Sequence, residues 1–140
     1  MIVVTVRGIP APQGSKRHVG GGRMVESSRA VGPWREAVRA ETQRVMSALG
    51  EPLQGPLWVT LRFTLPRPKG HYGARGVRPS APVWPATRPD LDKLARAALD
   101  GLVAGGAIPD DSRVCRLEVE KEYAEQSDIP GMIAEIEMLL

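Results

Sequence analysis

The sequence predicts a small α/β (α+β) protein that forms a single domain over residues 1–140. Three observations predict it. A chain of 140 residues is about one ordinary domain and is long enough to bury a core without disulfide or metal staples. Several short runs alternate apolar and polar residues with the period of a strand. Two longer stretches carry apolar residues at helical spacing. Hydrophobic residues make up 42% and charged residues 25% of the chain, which excludes a coiled coil, a collagen-like chain or an acidic disordered one. The apolar runs are too short for a transmembrane helix, and the first residues lack a basic-then-apolar leader. The lone cysteine, Cys115, has no internal partner for a disulfide. A cytoplasmic location is expected.

Met1–Arg7 reads as a strand built on Val3, Val4 and Val6. The next stretch, from Gly8 through Lys16, Arg17 and His18 to Gly22, is broken by prolines and glycines. It is either a flexible connector or a basic loop whose backbone lies against phosphates. From about Ser27 to Leu49 the spacing predicts a helix with Trp34, Val38, Val45 and Leu49 near one face, stopped by Gly50 and Pro52. Leu57–Leu65 alternates strictly and is the clearest strand, ended by Pro66. Residues 66–89 hold six Pro, three Gly and no acid, so an irregular loop is expected. Arg67, Lys69, Arg75 and Arg78 lie in it with His71, Tyr72 and Trp84 interleaved. Cations for phosphate and rings for exposed bases suit a nucleic-acid arm; a Pro-rich spacer is the plainer reading.

A second helix is expected just after Asp90, with Leu91, Leu94, Ala95, Ala98 and Leu102 on its apolar face and Gly105-Gly106 at its end. Residues 107–113 read as a turn. Val114–Tyr123 reads as a strand with Leu117, Val119 and Tyr123 on one face and Glu118, Glu120 and Glu122 on the other. A last strand is expected over Met132–Leu139.

The formal charge of +3 hides an uneven distribution. Residues 1–89 carry 14 Lys and Arg against 4 acids, and residues 90–140 carry 5 against 12. A basic front and an acidic back point to two physical jobs, phosphate binding for one and carboxylate chemistry for the other.

The sharpest feature is Pro89-Asp90-Leu91-Asp92-Lys93-Leu94 at a helix start. Positions two apart in a regular helix point about 200° from one another. Asp90 and Asp92 therefore serve one site only if Asp90 stays extended at the cap while Asp92 enters the first turn, where the helix dipole favours an anion. Simple capping is the plainer reading of either residue. Arg96 follows Asp92 at the i+4 position, where an ordinary ion pair would also place it. Asp110-Asp111 lie in the following turn. Carboxylates at a helix start and in a later turn, with no His or Cys cluster, suit a hard cation such as magnesium, with manganese as the alternative. Crowded carboxylates repel, and a divalent ion removes that penalty; it also polarises phosphate, activates water and stabilises a leaving alkoxide. An EF-hand is excluded, since the required glycine and final glutamate are missing.

Asp90-Leu91-Asp92-Lys93-Leu94, Ala98-Leu99-Asp100-Gly101-Leu102 and Asp110-Asp111-Ser112-Arg113-Val114 together resemble the RusA family of Holliday-junction resolvases. The Gly8–Arg17 loop and the Arg116–Tyr123 strand also fit that family's layout. The resemblance implies a small α/β domain with a mixed sheet packed with helices, acting as a homodimer on four-way DNA junctions by paired nicks. It implies three metal-binding aspartates, which match Asp90, Asp92 and Asp111; the choice of Asp111 over Asp110 rests on that likeness. The family's best-known members have Asn where this chain has Lys93 and a catalytic Lys where it has Arg96. Arg stays protonated and so cannot shuttle a proton, but it can clamp phosphate or stabilise transition-state charge. Asp100 is expected to be structural.

The functional expectation is thus a Mg²⁺-dependent, structure-selective endodeoxyribonuclease in DNA recombination and repair. Asp90, Asp92, Asp111 and Arg96 form its site, and Lys16, Arg17, Arg67, Lys69, Arg75, Arg78 and Lys93 contact branched DNA. Two alternatives stay open at this point: a non-catalytic basic protein that holds branched or single-stranded DNA, and a metal-dependent nuclease acting on flaps or forks. No membrane partner is expected.

Overall fold

β-Branched residues make Ile2–Arg7 a strand, β1, with Ile2, Val4 and Val6 turned inward. The computed structural model describes residues 1–14, 16–18, 24–26, 29–125 and 128–140, with backbone alone at 16–18 and 24–26. The glycine-rich stretch predicted as a loop contains two short antiparallel strands, β2 (Lys16–His18) and β3 (Met24–Glu26). Gly20, Gly21 and Gly22 lie outside the described residues.

Helix α1 spans Val31–Leu49, four residues later than the spacing predicted. Pro33 explains the later start. It has no N–H to donate and is tolerated in a first turn, whereas a helix from Ser27 would put it in the interior. The later start also turns the stripe: Val31, Trp34, Val38, Thr42 and Met46 are buried, while Val45 is half-buried and Leu49 is exposed. Leu57–Leu65 forms β4, whose odd-numbered residues are buried throughout. Residues 66–89 are more ordered than expected. They contain a 3₁₀ turn at Lys69–His71 and a small hairpin, β5 (Tyr72–Gly73) and β6 (Gly76–Val77).

Helix α2 spans Leu91–Ala104 and buries Leu94, Ala95, Ala97, Ala98 and Leu102. A 3₁₀ turn at Asp111–Arg113 leads into β7 (Val114–Tyr123), and β8 (Gly131–Met138) closes the chain. The sheet order is β1-β8-β4-β7. β8 is antiparallel to both of its neighbours, and β7 is parallel to β4, with Val59 opposite Leu117 and Phe63 opposite Lys121. This is the mixed sheet of an α+β domain. A parallel pair needs a long crossover, and α2 lies in it.

Both helices pack on one face of the sheet, and the core of Val4, Leu57, Leu61, Phe63, Leu94, Leu102 and Ile136 lies between the layers. Among the described residues no helix packs on the other face. There Arg62 lies 3.4 Å from Glu120 and 3.8 Å from Glu135 across three strands. As an edge strand β7 is largely exposed, and Leu117, expected on a covered face, is 41% exposed. α1 and α2 meet through glycines: a β-carbon on Gly101 would stand 2.6 Å from Val38 Cγ1.

Candidate metal and nucleic-acid site

Asp90 occupies the cap position of α2 with extended backbone, φ −69° and ψ 136°, the geometry that an i,i+2 pair needs to share a site. Its side chain makes no capping hydrogen bond, so capping does not account for it. It lies 3.7 Å from Lys93 Nζ, an exposed i,i+3 contact. Asp92 is exposed in the first turn and has no Lys or Arg within ion-pair distance among the described residues. In particular, Arg96 does not pair with it; the guanidinium is exposed one turn further along the helix.

Two depressions meet at this helix start. A cleft of about 700 Å³ runs between the Ile9–Gly14 loop and the segment carrying Arg88, Asp90 and Lys93. The loop is held there because Gln13 N–H donates to the Lys93 carbonyl at 3.0 Å and Gln13 Oε1 accepts from Arg35 at 3.1 Å. On the other side, a mainly apolar groove of about 590 Å³ lies between α2 and β7. Asp92, Arg96, Asp100 and Asp111 border it, and Leu91, Leu99, Leu117 and Val119 floor it.

Asp110 and Asp111 divide their work. Asp110 accepts the Ser112 N–H at 2.8 Å, and that bond holds its carboxyl below the ordinary carboxylate value. Asp111 is the one that borders the groove. Asp100 lies 3.7 Å from Arg35, a contact that ties α2 to α1.

The three aspartates do not converge within one chain. Among the described residues no three His, Cys, Asp or Glu side chains stand close enough to hold an ion together. Topology supplies the reason. α2 crosses back between two parallel strands, so its start lies beside the far end of β7 and its end beside the near end. Asp92 is thus at one end of the groove and Asp111 at the other. Twelve residues of helix from Asp92 to Ala104 rise about 18 Å. Seven residues of strand from Val114 to Lys121 rise about 23 Å. Two carboxylates on a common ion reach less than half as far.

What the helix start does offer is the Asp90–Asp92 pair of exposed carboxylates, an oxygen-only donor set. That chemistry fits magnesium, which is ordinarily held by one or two carboxylates with water and substrate phosphate filling the remaining positions.

The predicted DNA contacts fall into distinct groups. The side chains of Lys16 and Arg17 lie outside the described residues. Arg67 is half-buried and engaged internally: it stacks over Tyr123 at 4.4 Å, donates to the Pro82 carbonyl at 2.7 Å and lies 3.2 Å from His71 Nδ1. Arg78 Nε donates to the Tyr72 carbonyl at 3.1 Å. Lys69 and Arg75 are exposed on the folded arm, and Trp84 is 62% exposed.

Sequence reasoning missed Lys121. Its Nζ donates to the Thr87 carbonyl at 2.7 Å and the Pro89 carbonyl at 2.8 Å, pinning the backbone that leads into Asp90. The Arg88–Pro89 peptide within that stretch is cis. The signal was present: Lys121 falls in the same register as Val119 and Tyr123, on the less exposed face of an alternating strand.

The structure therefore presents a small α+β domain of basic front and acidic back, with carboxylates at a helix start beside a basic cleft. A family model described as Endodeoxyribonuclease RusA matches residues 6–137, and the chain belongs to the RusA family. No curated protein matches the chain significantly. Membership implies nuclease activity of the Holliday-junction resolvase kind on branched DNA, in a family whose members generally depend on a divalent metal. Among the described residues no helix is long and apolar enough to cross a membrane.

Proposed function

We propose that this protein is a Mg²⁺-dependent, structure-selective endodeoxyribonuclease that resolves four-way junctions by paired nicks, as a homodimer, in DNA recombination and repair. The observation that carries the reading is the uncapped, extended Asp90 next to Asp92 at the start of α2, on a chain of the RusA family.

Asp90 and Asp92 would hold the ion; Asp111, at the other end of the groove, would reach it only from the other subunit of the homodimer. When bound, a divalent ion supplies Lewis-acid stabilisation of phosphodiester hydrolysis. Lys93 and Arg88 flank the cleft beside Asp90 and hold a backbone phosphate in line with it. Arg96, always charged, stabilises the negative charge that builds on the phosphate in the transition state. The exposed cations Lys69 and Arg75 and the exposed Trp84 ring meet the junction arms away from the reacting bond. Little base-edge reading is needed, because a junction is selected by shape.

The test is cleavage of a synthetic four-way junction, a fork, a flap and a linear duplex at equal salt with Mg²⁺. Preferential paired nicking of the junction is expected. Binding without nicking under any metal would identify a binding protein instead, and preference for forks or flaps would reassign the substrate.

A further inference from the structure

The cleft of about 700 Å³ beside Asp90 has two unlike walls. One is charged and carries Arg88, Lys93 and the Asp90 carboxylate. The other is apolar and comes from Ile9, Pro10 and Pro12. A nucleotide has two unlike ends in the same sense. Its phosphate suits the cations, and its sugar carries the flat face of the base away from that charge. A phosphate held on the charged wall therefore turns its base towards the apolar one. We infer that this cleft is a nucleobase subsite: it takes one unstacked base next to the scissile phosphate and packs it against Ile9.

The apolar wall is built to hold its shape. Gly8 N–H donates to the Pro130 carbonyl at 2.9 Å and Gln13 N–H to the Lys93 carbonyl at 3.0 Å, so the loop is tied at both ends. Pro10 and Pro12 fix the backbone between those ties, and Pro10 and Ala11 are buried. Little conformational freedom is left to lose on binding. Ile9 nevertheless stands 67% exposed. A lone exposed isoleucine is ordinary on most surfaces. On a braced loop opposite two cations, it offers a base an apolar surface that reads no base edge. The cleft volume falls in the range of about 300–1,000 Å³ that encloses small ligands. Within a continuous duplex a base is stacked on both faces, and drawing it out is costly; a base already unpaired or poorly stacked at a branch point comes out more easily. The subsite therefore favours branched over linear DNA whatever the sequence. The inference rests on the proposed phosphodiesterase role of the Asp90–Asp92 helix start.

The test uses the full chain and four-way junctions carrying one abasic nucleotide or one 2-aminopurine, placed in turn at each position flanking the branch point. With Mg²⁺, an abasic nucleotide at one position beside the cut should slow cleavage by the wild type about 10-fold, and the other positions should matter little. Ile9→Ser should slow cleavage of the intact junction by a similar factor and should be indifferent to the abasic nucleotide. Ile9→Leu should match the wild type. Without metal, the wild type should raise the fluorescence of 2-aminopurine at that same position as stacking is lost, and Ile9→Ser should raise it much less. Unchanged melting temperatures check that the variants are folded.

Cleavage indifferent to the abasic nucleotide at every position, or equal 2-aminopurine signals with the wild type and Ile9→Ser, would overturn the base subsite while leaving a metal nuclease intact. An Ile9-dependent 2-aminopurine signal on a protein that cuts with no metal tried would support the base subsite and overturn the nuclease reading. A protein that gives neither would overturn both.

Discussion

Gly105, which caps the C-terminal end of α2, lies against Thr42 of α1 so closely that a β-carbon on the glycine would stand 2.5 Å from Thr42 Cβ and 2.8 Å from the Arg39 carbonyl oxygen. Backbone sets that seam, so it has little room to give. Gly105→Ala should destabilise by about 1–3 kcal/mol through overpacking, read as a lower melting temperature. Thr42 itself is fully buried and its hydroxyl has no hydrogen-bond partner among the described residues. Thr42→Val removes that unsatisfied group at nearly constant shape and should stabilise by about 1 kcal/mol. Gly32→Ala, where nothing among the described residues lies within 4 Å of the added carbon, serves as the control and should not destabilise.

Asp92→Asn should keep the fold and junction binding while reducing Mg²⁺-dependent cleavage by more than about 100-fold. The ground is that losing an outer-shell partner of a metal ligand already costs about 10–100-fold, and a direct ligand costs more. Gel-shift and cleavage assays on one preparation separate the two effects.

Asp110→Ala should behave differently, because Asp110 serves the turn. Cleavage should persist and the melting temperature should fall. The sign with pH follows from its lowered carboxyl value. The contribution is complete above the ordinary value near 3.8 and is lost as pH falls through the lower folded value. The gap in melting temperature between wild type and variant should therefore be widest near neutrality and close in strong acid.

Lys121→Met should leave the sheet intact but free the Thr87–Pro89 backbone ahead of Asp90. Mn²⁺ affinity should fall by about 10-fold or more. In an Asp90→Asn background the same change should add little, because residues that act through one another are not additive. Equal losses in both backgrounds would make Lys121 a purely structural residue.

Junction affinity should fall steeply with salt as counterions are released from the DNA. Lys69→Ala and Arg75→Ala should each reduce the salt slope by about 1 without changing the melting temperature. Arg67→Ala should instead loosen the arm, since Arg67 is engaged with Tyr123, His71 and the Pro82 carbonyl. Its signature is increased proteolysis within residues 66–89.

Much of the fold was legible because periodicity is local. Strict alternation over Leu57–Leu65 and the apolar spacing of Leu91, Leu94, Ala98 and Leu102 each predict an element that the structure contains. An extended Asp90 is the condition under which an i,i+2 pair ahead of a helix can serve one site, and the structure meets it. The helical stripe overshoots the start of α1, because Pro33 is tolerated only in a helix's first turn. The composition of the arm at 66–89 predicts an irregular loop, since its order comes from contacts of Arg67 and His71 to Tyr123, which is remote in sequence.

The sequence by itself determined the element types, the basic front and acidic back, and the candidate carboxylates, since each depends on neighbouring residues and their period. Tertiary structure alone decided that β7 runs parallel to β4 at the sheet edge. That pairing sends α2 back along the strands. It separates Asp111 from Asp90 and Asp92, exposes Leu117 and turns Lys121 onto the Pro89 carbonyl. Strand pairing joins residues far apart in the chain, so no local pattern of side chains encodes which end of a helix a distant carboxylate will meet.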